Sequence, residues 1–196
     1  VVKTKKEVRK EFELLNPTKA IEDHVRSILN LLRLPDDEDY EETPRRVAAY
    51  LKEFTQNKDL KESLSTVFSS SASGVVVQSN IPFRMVCSHH LLPAHGTASL
   101  GYIPNGKIVG LSKLCRLIQD AGVSQPAVQE HLTDSIADAI EDVLAPRGTI
   151  VVIKAIHSCL TTRGVNTPGV QTITSSVRGA FRDAPQARAE FFELVR

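Results

Sequence analysis

The sequence predicts an α+β fold: an antiparallel four-stranded sheet, helices covering it, and an N-terminal helical arm. Three observations lead there. Apolar residues in the first third of the 196-residue chain recur at helical spacing. After Gly74 the runs become short, β-branched and paired, first around residues 75–104 and again around 148–181. Between those two pairs lie two segments with a single apolar face each. Strands joined by short connections pair antiparallel, and helices gathered between hairpins cover the sheet rather than alternate with its strands.

Taken in order, "PTKAIEDHVRSILNLLRL" places Ile21, Val25, Ile28, Leu29 and Leu32 on one helical stripe. The next stretch, "LPDDEDYEETPRRVAAYLKEF", breaks at an acidic turn. Thr43 is then expected to cap a second helix, with Pro44 in its first turn and Val47, Tyr50, Leu51 and Phe54 on its apolar side. "KESLSTVFSSSASG" is polar and serine-rich and reads as an excursion, so residues 1–73 are assigned to an arm and connector and 74–196 to the main domain. "VVVQSN" and "IPFRMVC" read as strand, a Cys-His turn follows, and "GTASLGYIP" is the returning strand, with "NGKIVG" a tight connection. "LSKLCRLIQDA" is helical from Ser112. In "SQPAVQEHLTDSIADAIEDVLAP", Val128, Leu132, Ile136, Ile140 and Val143 share a face and Pro146 closes the helix. "GTIVVIKAIHSCL" and "GVQTITSSVRGAF" supply the second strand pair, and a last helix starts near Pro185. Such a sheet has two open edges, which neighbouring subunits would close.

With 41% apolar and 24% charged residues, the chain has the composition of a folded globular protein. A net charge of +1 gives no broad attraction to nucleic acid or an anionic membrane, and 5% aromatic residues with no tryptophan argue against a stacking platform for single strands. No apolar run approaches a bilayer span and no signal pattern is visible, so a cytoplasmic location is expected. Three cysteines, Cys87, Cys115 and Cys159, cannot all pair within one chain, which favours thiol chemistry or metal ligation over disulfides.

The chemistry concentrates in "MVCSHHLLPAHG". Cys87 and His90 are spaced so that one turn directs both donors to a single ion. In "AIHSC", His157 and Cys159 have the same parity, and on a continuous strand both would leave one face of the sheet. Cys87, His90 and Cys159 would then form a three-ligand zinc site with a fourth position open, the pattern of catalytic zinc. Buried thiols and a turn-packing imidazole are the plainer alternative. His89 and His157 are spare imidazoles beside the ion, suited to proton transfer or to hydrogen bonding behind the ligands.

Cationic residues arise from several segments near these donors. "GLSKLCRL" offers Ser112, Lys113 and Arg116 at a helix start, where free N–H groups also favour an anion. "TTRGV" adds Arg163, and "TPRRV" adds Arg45 and Arg46. Gln129 and Glu130 open the long helix; a carboxylate beside an amide can read a guanine-like edge, or simply favour the helix dipole.

In this order and spacing, "CSHHLLP", "GYIPNGKIVGLSKLCR", "VQEHLT", "HSCLTTRGV" and "TITSSVRGAF" resemble GTP cyclohydrolase I, over about residues 31–196. The resemblance implies a tunnelling fold, a homodecamer of two pentameric rings with active sites between subunits, and conversion of GTP to 7,8-dihydroneopterin triphosphate and formate. It implies one zinc per subunit on Cys87, His90 and Cys159, and catalytic roles for His89 and His157. Guanine recognition falls on Gln129 and Glu130, the phosphate side on Ser112, Lys113, Arg116 and Arg163, and Arg46 comes from the N-terminal helix.

This chain departs from the family pattern near the pocket. Ser88 stands where the family usually has glutamate, His131 where it usually has arginine, and "AGVSQPA" where a basic segment is usual. An aromatic common after the "LLP" segment is replaced by Ala94-His95. Alternatives to the full reaction are a variant that stops at an opened intermediate or uses a related purine nucleotide, and a nucleotide-binding regulatory oligomer.

Overall fold

The computed structural model describes residues 16–35 and 37–196. Residues 1–15 of the expected arm lie outside the described residues. The chain divides into two compact units at Thr55/Gln56.

In the first unit, α1 (Pro17–Leu31) begins where the Asn16 side chain accepts from the Thr18 amide at 3.1 Å, with proline in the first turn. Of the expected stripe Val25 is buried, whereas Ile28 and Leu32 are exposed. The acidic turn contains a one-turn helix, α2 (Glu38–Glu41), capped by Asp37 accepting from the Asp39 amide at 3.2 Å. It runs directly into α3 (Thr43–Glu53), which packs on α1. Thr43 is not the cap: Glu42 ends α2 and begins α3 with helical backbone (φ −87°, ψ −7°), and side-chain capping needs an extended residue there. Thr43 is therefore already inside the helix.

The second unit opens with α4 (Leu60–Ser63) and β1 (Val67–Ser69). Next come the long strands β2 (Val76–Val86) and β3 (Pro93–Ile103), then β4 (Lys107–Val109). The helices α5 (Leu111–Ser124) and α6 (Gln129–Leu144) follow. After them come β5 (Gly148–His157), the single turn α7 (Ser158–Thr161), β6 (Thr172–Gly179), α8 (Ala180–Asp183) and α9 (Pro185–Leu194). The four long strands form one antiparallel sheet in the order β2-β3-β5-β6, as the α+β reading expects. β2 carries a bulge between Gln78 and Ile81, where Asn80 takes φ 55°.

One sheet face is fully covered. Ile81, Phe83, Met85, Leu100, Val151 and Ile153 pack under Leu114, Leu117 and Ile118 of α5 and Ile136, Ile140 and Leu144 of α6. The opposite face is covered at one end, where Ile103, Ile150 and Val152 meet Phe181 and Phe191. Beyond that patch Ile173 is 60% exposed.

The serine-rich stretch and the "NGKIVG" connection are more than loop: β1 and β4 pair antiparallel as a two-stranded ribbon. Three-residue strands are too short to show a period of two, which hides them in sequence. The ribbon is tied to the core through Tyr102, whose hydroxyl accepts from the Val109 amide at 3.2 Å.

The strand polarity gives the sheet two chemically distinct ends. The C-termini of β2 and β5 and the N-termini of β3 and β6 share one end, with Met85 opposite Ala94, Ala94 opposite His157, and Ala155 opposite Thr172. At the other end Gly148 lies between Ile103 and Gly179. There the Arg147 amide donates to Ile103 O and its carbonyl accepts from the Ala180 amide, both at 2.9 Å. The Arg147 guanidinium donates to Pro104 O at 3.1 Å and Ser73 O at 2.6 Å.

Candidate functional site

The β2–β3 connection, residues 87–92, holds two of the sequence-expected ligands. Its shape is fixed by backbone bonds: Cys87 N donates to Leu92 O at 3.0 Å and Leu91 N to Cys87 O at 2.9 Å, with Leu91 in the left-handed region at φ 53°. A short parallel bridge joins Cys87 to Ala127 in front of α6. In it Ala127 N donates to Val86 O at 3.0 Å and Ser88 N to Ala127 O at 3.1 Å. The segment that positions the metal loop is thus the same one that starts the helix bearing Gln129 and Glu130.

Cys87, His90 and Cys159 come together: their ligand atoms all lie within 4.8 Å of one another, and Cys87 Sγ is 4.0 Å from His90 Nδ1. The route by which Cys159 arrives differs from the expectation. β5 ends at His157, and Ser158–Thr161 turns helically, so Cys159 does not share a strand face with His157. The Thr161 hydroxyl donates to His157 O at 3.2 Å and that of Thr162 to Ser158 O at 2.7 Å, stabilising the turn. It carries the thiol to the ion site while the imidazole stays in the sheet. Burial raises the Cys159 thiol above its ordinary value, and Cys87 raises it further; the Arg163 charge acts in the opposite direction. Two sulfurs and an imidazole nitrogen so close together are a donor set for a soft or borderline metal ion.

His89 and His90 are both exposed, and their rings are nearly perpendicular (87°) with centroids 6.3 Å apart. The turn therefore lets one imidazole face the thiols while its neighbour points elsewhere. His157 is 8% exposed, and burial lowers its pKa below the ordinary histidine value, opposed by the Glu130 carboxylate. Its Nε2 lies 2.6 Å from Gln129 Oε1. Gln129 is buried at 2% exposure, whereas the neighbouring Glu130 is exposed. The partners of Gln129 in the fold, Thr133 and Thr174, carried no sequence signal as site residues beyond the i, i+4 spacing of Gln129 and Thr133.

The remaining candidates divide. Arg163 is exposed in the stretch after α7, near enough for its charge to act on Cys159. Ser112, Lys113 and Arg116 lie on the first turns of α5, which begins beyond the opposite end of the sheet. Cys115 there donates to Gln78 Oε1 at 3.3 Å, near the start of β2, while Ala127 beyond the helix reaches Cys87. Fourteen residues of helix span about 20 Å. Within one chain these three residues stand apart from the thiols and His157. Lys113 Nζ instead lies 3.4 Å from Ser65 Oγ. Arg46 is exposed on α3 of the first unit.

Three of the positions singled out in the sequence meet in space. Ser88, His131 and the stretch Gln125–Val128 line one cavity of about 270 Å³, with Leu60, Ala121 and Leu132 among its apolar walls. His95, the fourth, is exposed on β3.

Comparison with known proteins identifies the family. The profile of the family described as GTP cyclohydrolase I matches residues 21–196. A protein named GTP cyclohydrolase 1 from Thermobifida fusca is 46% identical over 180 residues, covering 89% of this chain and 86% of the relative. One of the same name from Streptococcus agalactiae is 44% identical over 165 residues, covering 83% and 88%. A third, from Bacillus subtilis, is 42% identical over 195 residues, covering 97% and 98%. With its metal-ligand cluster assembled at one end of an antiparallel sheet and nearly its whole length matched, the chain belongs to the GTP cyclohydrolase I family.

Proposed function

We propose that this protein is a GTP cyclohydrolase that opens the imidazole ring of guanine in GTP and gives 7,8-dihydroneopterin triphosphate and formate. This is a step toward pterins and tetrahydrofolate, and so toward one-carbon metabolism. The observation that carries the reading is the meeting of Cys87, His90 and Cys159 at the end of the sheet where His157 and Glu130 also lie, in a chain of this family.

The donor set fits zinc, one ion per subunit, held by Cys87, His90 and Cys159. When bound, zinc supplies Lewis acidity and lowers the pKa of water in its coordination sphere. Opening the ring requires a proton to leave the incoming water and another to reach a ring nitrogen as the C8–N bond breaks. His89 and His157 are the groups suited to these transfers, being imidazoles that sit beside the ligands in sequence and in the fold. Glu130, exposed at the start of α6, is the acceptor for the guanine ring N–H and amino group, with Gln129 beside it. Arg163 of the same chain faces the triphosphate.

Ser112, Lys113 and Arg116 are distant from the thiols along α5, which supports a pocket shared between subunits in which a neighbour's α5 supplies these phosphate contacts. Arg46 is assigned to the same set from the N-terminal arm and connector, residues 1–73, and the catalytic domain is assigned to 74–196. Among the described residues the sheet edges β2 and β6 have no further strand, which also favours closure by neighbours, and a homodecamer is the proposed assembly. Among the described residues no helix is long and apolar enough to cross a membrane, and the proposed location is the cytoplasm.

Incubation of the metal-loaded protein with GTP, resolved by mass spectrometry, is expected to give the pterin triphosphate and one formate per GTP. Unchanged GTP would overturn the reading. A second reading, release of an opened intermediate, is favoured by one observation: Ser88, His131 and residues 125–128 line a single cavity beside the metal loop. Accumulation of a formamide or diaminopyrimidine nucleotide would select it.

A further inference from the structure

The Gln129 side chain occupies a closed set of hydrogen bonds. Its Nε2 lies 3.3 Å from Ile153 O, 3.2 Å from Thr172 O and 3.0 Å from Thr174 Oγ1. Its Oε1 lies 2.6 Å from His157 Nε2. Turning the amide over would set an acceptor oxygen against two carbonyl oxygens, so the two ends of the amide are chemically determined. The hydroxyl protons are determined too. Thr133 Oγ1 donates to the Gln129 carbonyl at 2.7 Å, which makes it the acceptor in its 2.6 Å bond to Thr174 Oγ1. Thr174 therefore donates to Thr133 and accepts from Gln129. No buried side-chain polar atom among the described residues is left without a partner, so the network has no spare group to reverse its direction.

An amide oxygen only accepts, so the 2.6 Å contact requires a proton on His157 Nε2. In the neutral ring that leaves Nδ1 as the bare nitrogen. We infer that Gln129, oriented by the carbonyls of Ile153 and Thr172 and by the Thr174–Thr133 hydroxyl pair, is a positioning residue that fixes the His157 ring through a hydrogen bond from Nε2–H to its amide oxygen. This rests on the GTP reading above. It also separates Gln129 from Glu130: both N–H groups of the buried amide are committed inside the fold, so the purine edge is read by Glu130 and not by the Gln129 side chain.

The first measurement does not depend on turnover. In zinc-loaded protein with ¹⁵N-labelled histidine, magic-angle-spinning NMR should show His157 with a protonated Nε2 and an unprotonated Nδ1, the signal being identified by its loss in His157→Asn. A proton on Nδ1 instead would overturn the inference. The second is kinetic. Gln129→Met should lower kcat by about 10²-fold, the usual worth of a positioned acid–base group, with zinc content unchanged. KM for GTP should stay within about threefold, because no substrate contact is removed. A raised KM and lost preference over ATP, with kcat retained, would return Gln129 to substrate binding and sink the proposal. Thr174→Val should lower kcat by roughly 3- to 10-fold, the worth of one hydrogen bond, and Thr174→Ser should restore it. Equal losses in both would remove the hydroxyl pair from the device. If the unmodified protein left GTP untouched, the GTP reading would fail while the NMR result still decided the tautomer.

Discussion

The two ends of the sheet are built by opposite means. At one end backbone meets backbone: Arg147 is bonded through its amide, carbonyl and guanidinium, and Gly179 sits so close that an added Cβ would lie 2.3 Å from the Arg147 carbonyl oxygen. At the other end side chains carry the work, and Ser88, His89 and His90 stand exposed on a loop closed by backbone hydrogen bonds at Cys87, Ser88 and Leu91. The difference teaches that stability and chemistry are separated along the strand direction. The locked end holds four strands in register, while the exposed loop at the open end presents reactive side chains.

The comparison breaks most sharply if the open end proves essential to folding. Cys159→Ser is expected to abolish metal retention in elemental analysis and lower GTP turnover by at least about 10³-fold, since a metal's polarising effect is worth several kcal/mol. Its unfolding midpoint should match that of chelator-treated parent protein; a large additional loss would deny the separation. The converse change is Gly179→Ala. Gly179 takes φ 52°, and both that conformation and the approach to Arg147 oppose a methyl group. Denaturant unfolding should show a loss of roughly 2–4 kcal/mol from backbone strain and overpacking. Turnover per folded molecule should be unaffected.

Smaller effects sharpen the open end. Glu130→Gln should reduce the preference for GTP over ATP by about 10- to 100-fold, the range for a hydrogen bond to a charged group, with zinc retained. Arg163→Ala should weaken GTP by about tenfold, a loss of about 1.4 kcal/mol, and leave guanosine unchanged. Parallel binding measurements on metal-loaded protein separate the two, and equal losses on every ligand would defeat both assignments.

The smallest expected effect lies toward the locked end. The Ser176 hydroxyl, and then Arg178, hold the Asp134 carboxyl below the ordinary carboxylate range. A lowered folded-state pKa stabilises the protein above the unfolded carboxylate value, and that contribution is lost as pH falls through the folded value. Arg178→Met should therefore cost stability near neutral pH, and the difference from the parent should shrink below about pH 4. Asp134 has 57% of its side-chain surface exposed, so the cost should stay under about 1 kcal/mol. A constant difference across that range would assign the effect to packing.

Much of this was legible in sequence because long periodic segments dominate the second unit. The four long strands and α5 and α6 follow from β-branched runs and apolar faces. The ribbon of β1 and β4 did not, because its six paired residues carry no period and one half looks like serine-rich loop. The metal ligands were legible for a partly mistaken reason. Cys87 and His90 come from a real turn, but the parity of His157 and Cys159 assumed a strand that stops at His157. No glycine or proline marks that stop; threonine hydroxyls bonding back to the chain do. The commitment of Gln129 was invisible for another reason. Its partners Thr172 and Thr174 are remote in sequence and meet it only after β6 has paired with β5.

The bridge between Cys87 and Ala127 has a mechanical meaning. Because Val86, Ser88 and Ala127 exchange backbone hydrogen bonds, the ligand loop and the leading end of α6 form one lever. Loosening the loop to release an ion would unseat the helix start that carries Gln129 and Glu130, and resizing the 121–127 segment would shift the ligands without altering any of them. A change in the 121–127 segment is therefore expected to move the ligand loop and the helix start together.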